Sequence, residues 1–214
     1  MKTTRYLNEM KEVVFDQEWL KTAPNLELYD MYREEAGKDG LRYDLTVLKP
    51  IMLGQEYNKT AGHDHPVVPG ANLTYPELYE VLEGEVIFLL QDSENDKIKD
   101  VYTIKAVQGD KVIVPPNYEH IMINATDKEA KTANWVCRFE ANIYKPFRSK
   151  KGFSYYLLKD GQWVKNNHYT DIPELRFEEP NRLTKKFNIG KEAILNLSLD
   201  KLEFLKTPQN YEWE

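Results

Sequence analysis

The sequence predicts an all-β fold, and two observations support this prediction. Apolar segments of strand length recur about every 8–12 residues between positions 43 and 158, and turn residues separate them, which is typical of a β-sandwich or barrel. The same region has none of the helical patterns of about 10–15 residues that alternating β-α-β units require. We therefore expect one small antiparallel barrel or jelly roll over residues 41–160. An N-terminal extension over residues 1–40 and a C-terminal tail over residues 161–214 would flank it.

Seven segments are expected to supply the strands of the barrel. Glu77–Gln91 is predicted to form two strands joined at Glu83 and Gly84, because glycine gives the backbone the freedom that a tight turn needs. The other six segments are Tyr43–Leu48, Ile98–Val107, Lys111–Val114, His120–Ile123, Ala133–Phe139 and Phe153–Leu158. They alternate apolar and polar residues or are short apolar runs, as strands do.

The N-terminal extension shows weaker patterns. Phe15–Leu20 is interpreted as a short helix that Asp16 would cap. Leu26–Met31 is interpreted as a strand, and the charged run Arg33–Gly40 as the turn that follows it.

The C-terminal tail begins with a connector and ends with a helical pattern. Asp171–Arg182 is charged and interrupted by proline, which is typical of a connecting segment. Lys191–Leu205 places five apolar residues at roughly helical spacing, so we predict a helix that docks on the barrel.

Composition excludes several classes of protein. Hydrophobic residues make up 41% of the 214 residues, which is too many for an intrinsically disordered chain. A net charge of −6 gives no basic surplus to neutralise phosphates, so nucleic acid is not an expected partner. No run of about 18 apolar residues occurs and the first residues do not resemble a signal peptide, so no membrane segment is expected. The single Cys137 excludes an internal disulfide and suits a reducing compartment, so we expect a cytoplasmic protein.

Three of the four histidines lie in two short blocks. His63 and His65 are two residues apart, and in a strand both imidazoles would project to the same side, with Cα atoms about 7 Å apart. Imidazole is a good ligand for zinc, copper, iron and nickel. His120 begins a later predicted strand and Glu77 begins an earlier one, so both are further candidate ligands. Taken one at a time, such residues are more often hydrogen-bonded or solvated, and His168 is expected simply to lie on the surface.

The joint pattern of these residues resembles the two motifs of the cupin superfamily. His63-x-His65, Glu77 and Gly84 resemble the first motif, although the gap of eleven residues between His65 and Glu77 is longer than usual. This gap holds the segment PVVPGANLTYP, which is expected to be a lengthened hairpin loop at the mouth of the barrel.

The second cupin motif is closely matched in GDKVIVPPNYEHIMIN. Its landmarks are Gly109, Pro115, His120 and Asn124. Asn117 stands where cupins commonly have glycine, and asparagine also tolerates a left-handed backbone.

Within the cupins, the chain resembles the archaeal-type glucose-6-phosphate isomerases from about Tyr6 to Leu158. The similar segments include TVLKPIMLGQEYNKTAGHDHP, PELYEVLEG, VPPNYEHIMIN and KGFSYYLL. The resemblance implies a metal held by four residues and a substrate contacted by four others. The implied ligands are His63, His65, Glu77 and His120, and the implied substrate-binding residues are Thr46, Thr60, Gly62 and Tyr79. The family usually employs Fe(II), for which Zn, Mn, Ni or Co can substitute.

One departure from this family concerns the substrate. The family has a substrate-contacting histidine shortly before the KGF segment, whereas this chain reads FEANIYKPFRSKKGF and has no histidine there. Several cations are candidates to add positive charge near a phosphate, although Arg148–Lys151 on its own is typical of a solvated loop. These cations are Lys59, Lys145, Arg148, Lys150 and Lys151.

The resemblance implies an aldose–ketose isomerase that interconverts glucose 6-phosphate and fructose 6-phosphate in glycolysis and gluconeogenesis. A bound divalent cation would polarise the two sugar oxygens, and Glu77 would be both ligand and base; a hydride shift that needs no protein base is the alternative. A homodimer is expected from the family and from the apolar segment Val86–Leu90, interpreted as a strand edge.

Two other functions fit the same residues. One is a different metal-dependent cupin enzyme, such as a dioxygenase or another sugar-phosphate isomerase or epimerase, because fold does not fix function. The other is a non-catalytic sugar-binding cupin.

Overall fold

The protein is described by a computed structural model, which covers residues 1–95, 97–139, 143 and 148–213. Strands dominate this part of the chain. They are β1 (Lys2–Tyr6), β2 (Glu27–Lys38), β3 (Leu41–Leu48), β4 (Met52–Leu53), β5 (Glu56–Lys59), β6 (Glu77–Glu83), β7 (Glu85–Glu94), β8 (Lys97–Val107), β9 (Lys111–Val114), β10 (Glu119–Asn124), β11 (Ala130–Cys137), β12 (Tyr155–Leu157), β13 (Trp163–Lys165) and β14 (Arg176–Glu178).

The strands form two large sheets with the crossing pattern of a jelly roll. The first sheet has the order β1-β2-β3-β11-β6-β9 and the second β14-β8-β7-β10-β5-β4, while β12 and β13 form a separate pair. From β5 to β11 the chain crosses between the two large sheets at every connection except the β7–β8 hairpin. The all-β jelly roll predicted from the sequence is confirmed, although the two sheets do not close into one barrel.

Helices are short throughout the described residues. The α-helices are Arg182–Lys186 and Leu199–Leu202. The 3₁₀ helices are Leu7–Glu9, Lys11–Val13, Trp19–Lys21, Ile194–Asn196, Glu203–Leu205 and Pro208–Asn210. None of these helices has the length and apolar character needed to cross a membrane.

Apolar side chains form two separate cores. The larger one lies between the sheets and includes Phe88 and Leu90 of β7 and Val112 of β9. The smaller one lies on the outer face of the first sheet, where Trp135 and Leu78 pack against the C-terminal tail. The β3–β11–β6 part of the first sheet therefore contributes side chains to both.

Six of the seven predicted barrel segments agree with strands of the two large sheets except at their ends. The seventh, Phe153–Leu158, contains β12, which pairs with β13 outside these sheets. Glu83 and Glu85 end and begin the two strands of the predicted hairpin, and Gly84 has a φ of +75°. The interpretation of Val86–Leu90 as an apolar edge is wrong. Strand β7 lies inside the second sheet between β8 and β10, and Val86, Phe88, Leu89 and Leu90 are fully buried.

The predicted turn Arg33–Gly40 is wrong, because β2 continues as a strand to Lys38. The register of β2 against β3 shifts between Tyr32 and Ala36, and Glu34 in this bulge has a φ of +59°. A bulge inserts an extra residue and re-aims the side chains around it, which lets a charged run stay in a sheet. Only Asp39 and Gly40 form the turn.

Two helix predictions also differ from the structure. In place of a helix over Phe15–Leu20 there is a single 3₁₀ turn at Trp19–Lys21, which Asp16 caps by accepting a hydrogen bond from the Trp19 N–H at 2.9 Å. The predicted helix Lys191–Leu205 is divided into short helices, because Leu197 and Ser198 are extended, with ψ values of 138° and 160°. The helical tail is confirmed, but as separate turns.

Five strands of the described residues were missing from the sequence prediction: β1, β4, β5, β13 and β14. Strand β5 escapes the apolar pattern because Glu56 and Lys59, which it buries, are an ion pair. Strand β14 lies within the predicted connector and pairs with β8 in parallel. Strands β1 and β2 extend the first sheet and β14 extends the second, so residues from both predicted flanks complete the sheets. The domain boundaries at residues 40 and 160 remain predictions.

Candidate active site

The four predicted ligands come from three separate parts of the fold. His63 and His65 follow β5, Glu77 begins β6 and His120 lies in β10. His63 and His120 are joined by two backbone hydrogen bonds, with N···O distances of 3.4 and 3.2 Å. This bridge brings the first histidine pair beside the third histidine.

The side chains of these four residues converge on one point. Their donor atoms all lie within 4.8 Å of one another. Glu77 Oε2 is 3.1 Å from His120 Nε2, 3.3 Å from His65 Nε2 and 3.8 Å from His63 Nε2. The two Nε2 atoms of His63 and His65 are 3.2 Å apart, so both imidazoles do project to the same side, as predicted.

The ring orientation of His65 is fixed by the backbone of the long insert. His65 Nδ1 lies 2.7 Å from the carbonyl oxygen of Tyr75. A carbonyl only accepts hydrogen bonds, so Nδ1 carries a proton, and Nε2 is the ring nitrogen that faces Glu77. Such a contact orients histidine ligands in metal sites.

Asn117 of the second motif anchors the same insert, the segment between His65 and Glu77. Thr74 N–H donates to Asn117 Oδ1 at 3.0 Å, and Asn117 N–H donates to Thr74 Oγ1 at 2.7 Å. Asn117 has a φ of +67°, the left-handed backbone that was expected for this position. The insert is thereby held against the second motif.

The charge states of the cluster fit a divalent cation. Burial and the neighbouring His120 lower the pKa of His63 to about 3, so His63 is neutral at neutral pH. Burial raises the pKa of Glu77, but the three imidazoles outweigh it and hold this pKa well below its usual range. Glu77 Oε2 is nevertheless buried and has no hydrogen-bond partner among the described residues. Imidazoles together with one carboxylate are ligands that suit a transition metal.

The predicted substrate-binding residues lie in the wall of the cavity above this cluster. Thr46, Thr60, Gly62 and Tyr79 line it together with the four predicted ligands. Tyr79 faces the same side of β6 as Glu77, and its hydroxyl lies 3.0 Å from His120 Nε2. Burial, and then the carboxylate of Glu77, raise the pKa of Tyr79 well above its usual value, so this hydroxyl keeps its proton.

Thr60 and Gly62 are held in place by the facing strand. Thr60 Oγ1 accepts a hydrogen bond from the Met122 N–H at 3.0 Å, and its own proton is then free to donate. Gly62 has a φ of +77°, and a Cβ there would lie 2.4 Å from Phe153 and 2.7 Å from Ile121. Only glycine fits this position, for reasons of packing as well as of backbone conformation.

The residues that line the cavity but were not predicted as site residues include Arg33, Arg42 and Asn134. Arg33 was assigned to a turn, and its position depends on the bulge in β2. Arg42 directly precedes the predicted strand Tyr43–Leu48, and the observed β3 begins at Leu41. It therefore lies four residues before Thr46 in the same strand and shares its face, a signal that required the strand to begin earlier than predicted. Burial lowers the pKa of Arg33, but Asp44 outweighs it and raises this pKa above its usual value.

The cations expected near the phosphate do not line the described cavity wall. Lys59 is buried against Glu56 and the ring of Tyr156. Arg148 Nε lies 3.6 Å from Glu12 Oε2, and Lys150 Nζ donates a hydrogen bond to the carbonyl oxygen of His168. Lys151 is exposed, and Lys145 lies outside the described residues. His168 is exposed, as expected.

Comparison with protein families identifies where this arrangement belongs. Residues 6–174 match the family model described as "Glucose-6-phosphate isomerase (GPI)". The chain belongs to this glucose-6-phosphate isomerase family. The predicted resemblance, from about Tyr6 to Leu158, is confirmed over a slightly longer stretch.

Curated relatives in this family come from archaeal genera. The glucose-6-phosphate isomerase of Thermococcus litoralis is 34% identical over 132 residues, which cover 59% of this chain and 65% of the relative. That of Thermococcus onnurineus is 30% identical over 172 residues, which cover 77% of this chain and 84% of the relative. The chain thus matches just under two thirds of the length of the first relative.

Similar solved structures include a cupin domain. The Drosophila melanogaster CENP-C cupin domain is 17% identical, with a TM-score of 0.36, over 50% of this chain and 67% of that chain. Likeness at this level supports no conclusion about function.

Proposed function

We propose that the protein is a metal-dependent glucose-6-phosphate isomerase, which interconverts glucose 6-phosphate and fructose 6-phosphate in glycolysis and gluconeogenesis. The observation that carries the proposal is the convergence of three imidazoles and one buried carboxylate in a chain of this family. His63, His65, Glu77 and His120 would hold the metal. Fe(II) is the metal expected from the resemblance.

The bound cation would supply a positive charge that polarises the sugar oxygens at C1 and C2. The carboxylate of Glu77 would accept the proton from C2 of the aldose and return it to C1. Its low pKa keeps it ionised and ready to accept a proton. The hydroxyl of Tyr79 keeps its own proton and would donate a hydrogen bond to a substrate oxygen.

Other residues that line the cavity would hold the rest of the substrate. Thr46 and Thr60 offer hydroxyl groups, and Gly62 lets the substrate approach the backbone closely. Hydroxyls and backbone N–H groups are common partners of phosphate oxygens. These contacts would orient the sugar phosphate with its carbonyl end towards Glu77.

The direct test is a coupled assay for conversion of fructose 6-phosphate, with metal-replete and with chelated protein. We expect turnover that is lost on chelation and restored by Fe(II), with Zn, Mn, Ni and Co as the comparison series. Oxygen uptake on a diketone or thiol without isomerisation would instead indicate a cupin dioxygenase. Absence of both activities would indicate a sugar-binding protein.

The two proton-transfer routes differ in their exchange with solvent. A proton that passes through Glu77 can exchange with water, whereas a hydride shift keeps the hydrogen on the sugar. Turnover in deuterated water therefore tests the route. Substantial incorporation of deuterium into the product supports the Glu77 route, and its absence supports the hydride shift.

We also propose that the protein forms a homodimer, as its resemblance to the family implies. Sedimentation at micromolar concentration tests this proposal, and a monomer would contradict it. The partner molecule that we expect is a small sugar phosphate.

A further inference from the structure

A polar row crosses the inner face of the first sheet and starts at the metal cluster. Strands β6, β11 and β3 are neighbours, and Asn134 of β11 lies opposite Tyr79 on one side and Asp44 on the other. Two residues further along β11, Val136 lies opposite Glu77 of β6 and Arg42 of β3. Residues opposite each other in paired strands share a face. The row therefore leads from Glu77 and Tyr79 to a group of charges on β3.

Two arginines meet at one buried carboxylate at the far end of this row. Asp44 is fully buried, and its Oδ2 lies 2.6 Å from Arg33 Nη1 and 3.1 Å from Arg42 Nε. Its other oxygen accepts a hydrogen bond from the Glu34 N–H at 2.8 Å. Asp44 thus fixes both guanidinium groups in the cavity wall but neutralises only one positive charge.

Two buried donors on this wall make no hydrogen bond to the described residues. Asn134 is only 2% exposed, and its Nδ2 makes no hydrogen bond. Arg42 Nε is also buried and has no hydrogen bond, although it forms an ion pair with Asp44. Buried polar groups are nearly always satisfied, so a ligand that accepts hydrogen bonds is expected at this place.

The charge of this wall favours an anion. Arg33 and Arg42 share a single carboxylate, that of Asp44, so one of their two positive charges is not compensated by it. Guanidinium groups are well suited to phosphate, because their planar fork can donate two parallel hydrogen bonds.

We propose that Arg33, Arg42 and Asn134 form the charged half of the phosphate subsite. The uncharged half is the one assigned above to Thr46, Thr60 and Gly62, and Thr46 follows Asp44 by two residues on the same face of β3. The inference rests on the proposed function, since it takes the phosphate of the sugar phosphate as the anion. It also accounts for a site that lacks the expected histidine before the KGF segment.

The probe is inorganic phosphate, titrated calorimetrically into the full-length protein with and without metal. Arg42→Gln is the main variant, because Asp44 keeps its contacts with Arg33 and with the Glu34 N–H. We expect phosphate affinity to fall by about 10- to 100-fold, as for loss of a hydrogen bond to a charged group. Asn134→Ala should weaken binding by a smaller factor without changing the charge of the site. Arg42→Lys should recover only part of the affinity, since it restores the charge without the fork.

The matched control is Arg176→Gln, which removes the same charge from an exposed arginine on β14 of the second sheet. It should bind phosphate like the unchanged protein. In the isomerase assay, Arg42→Gln should raise KM for glucose 6-phosphate more than it lowers kcat. Equal phosphate affinity in Arg42→Gln and the unchanged protein, or no phosphate binding by the unchanged protein, would overturn the inference. Arg42-dependent phosphate binding without isomerase activity would support the subsite and refute the proposed function.

Discussion

The two faces of β3, β6 and β11 differ completely, although their residues alternate along the same strands. On the outer face Trp135 lies between Tyr43 and Leu78, and all three are buried under the C-terminal tail. On the inner face, one residue further along each strand, Asn134 lies between Asp44 and Tyr79.

Residues that stabilise the fold and residues proposed to act on the substrate therefore alternate along the same strands, one position apart. The outer row consists of large hydrophobic side chains, and the indole of Trp135 is paired, because its Nε1 donates to the Ile194 carbonyl at 2.8 Å. The inner row keeps an unpartnered buried amide on Asn134 and a carboxylate, that of Asp44, shared by two arginines. Substitutions on the inner face should therefore act on binding and turnover, and those on the outer face on unfolding.

The largest effect is expected when two inner metal ligands are removed. His63→Ala combined with His65→Ala leaves only Glu77 and His120, which is too few donors for tight binding of a transition metal. Metal analysis should find none of the roughly one ion per chain expected for the unchanged protein, and isomerase activity should vanish.

The control for this pair is His168→Ala, which removes an exposed histidine far from the cluster in sequence. It should keep both metal and activity. A double variant that still holds one metal per chain would refute the assignment of the ligands.

The next largest effect is expected at Glu77. Glu77→Gln keeps the shape of the side chain and an oxygen ligand but cannot accept a proton. The value of kcat per bound metal should fall by about 10²–10⁴-fold, the usual range for loss of a general base. A per-metal kcat unchanged in this variant would refute the base assignment and leave polarisation by the cation as the mechanism.

On the outer face, Trp135→Ala should destabilise the protein without altering the chemistry. Replacing a fully buried tryptophan by alanine typically costs about 3–5 kcal/mol of unfolding free energy. Denaturant unfolding measures this loss, and kcat per bound metal of the folded variant should stay close to that of the unchanged protein.

Trp135→Phe serves as the matched variant, because it keeps an aromatic ring and loses the hydrogen bond to Ile194 and only part of the buried ring volume. Its loss of stability should be smaller than that of Trp135→Ala. A drop in per-metal kcat as large as that of Glu77→Gln would show that the two faces are not independent.

The sequence predicted the metal cluster better than the rest of the cavity, and the reason is local. His63, His65 and Glu77 lie within fifteen residues, and the motif around His120 is continuous, so short segments carry the whole pattern. Arg33 depends instead on a bulge that exists only when β2 pairs with β3. Its contact with Asp44 is a product of strand register, which a run of charged residues does not disclose.

The same limit explains the missed and misplaced elements. The apolar alternation of β3 and the β6–β7 hairpin is visible in the sequence, because one face of each strand packs into a core. In β5 this alternation is not visible, because the buried residues Glu56 and Lys59 are a charged pair. In the tail, the apolar residues of Lys191–Leu205 do pack on Trp135, but the extended residues Leu197 and Ser198 prevent one continuous helix.

The smallest effect is expected at Tyr79, which follows Leu78 in β6 and faces the inner side of the sheet. Tyr79→Phe removes one hydroxyl and keeps the ring, which packs at 5.2 Å from the ring of Phe88. The stability of the protein should therefore change little, unlike that of Trp135→Ala.

What Tyr79→Phe does to turnover follows from the position of the lost hydroxyl. In the structure this group lies 3.0 Å from His120 Nε2, the atom that would bind the metal. Once that nitrogen is a ligand, the hydroxyl has to donate elsewhere, and the substrate oxygens are the acceptors that the proposal provides. A single neutral hydrogen bond contributes about 0.5–1.5 kcal/mol, so the loss in kcat/KM should be about tenfold or less and shared between the two constants. Steady-state kinetics at full metal occupancy measures it. A loss as large as that of Glu77→Gln would make Tyr79 a participant in proton transfer, and metal loss instead would make it a support for His120.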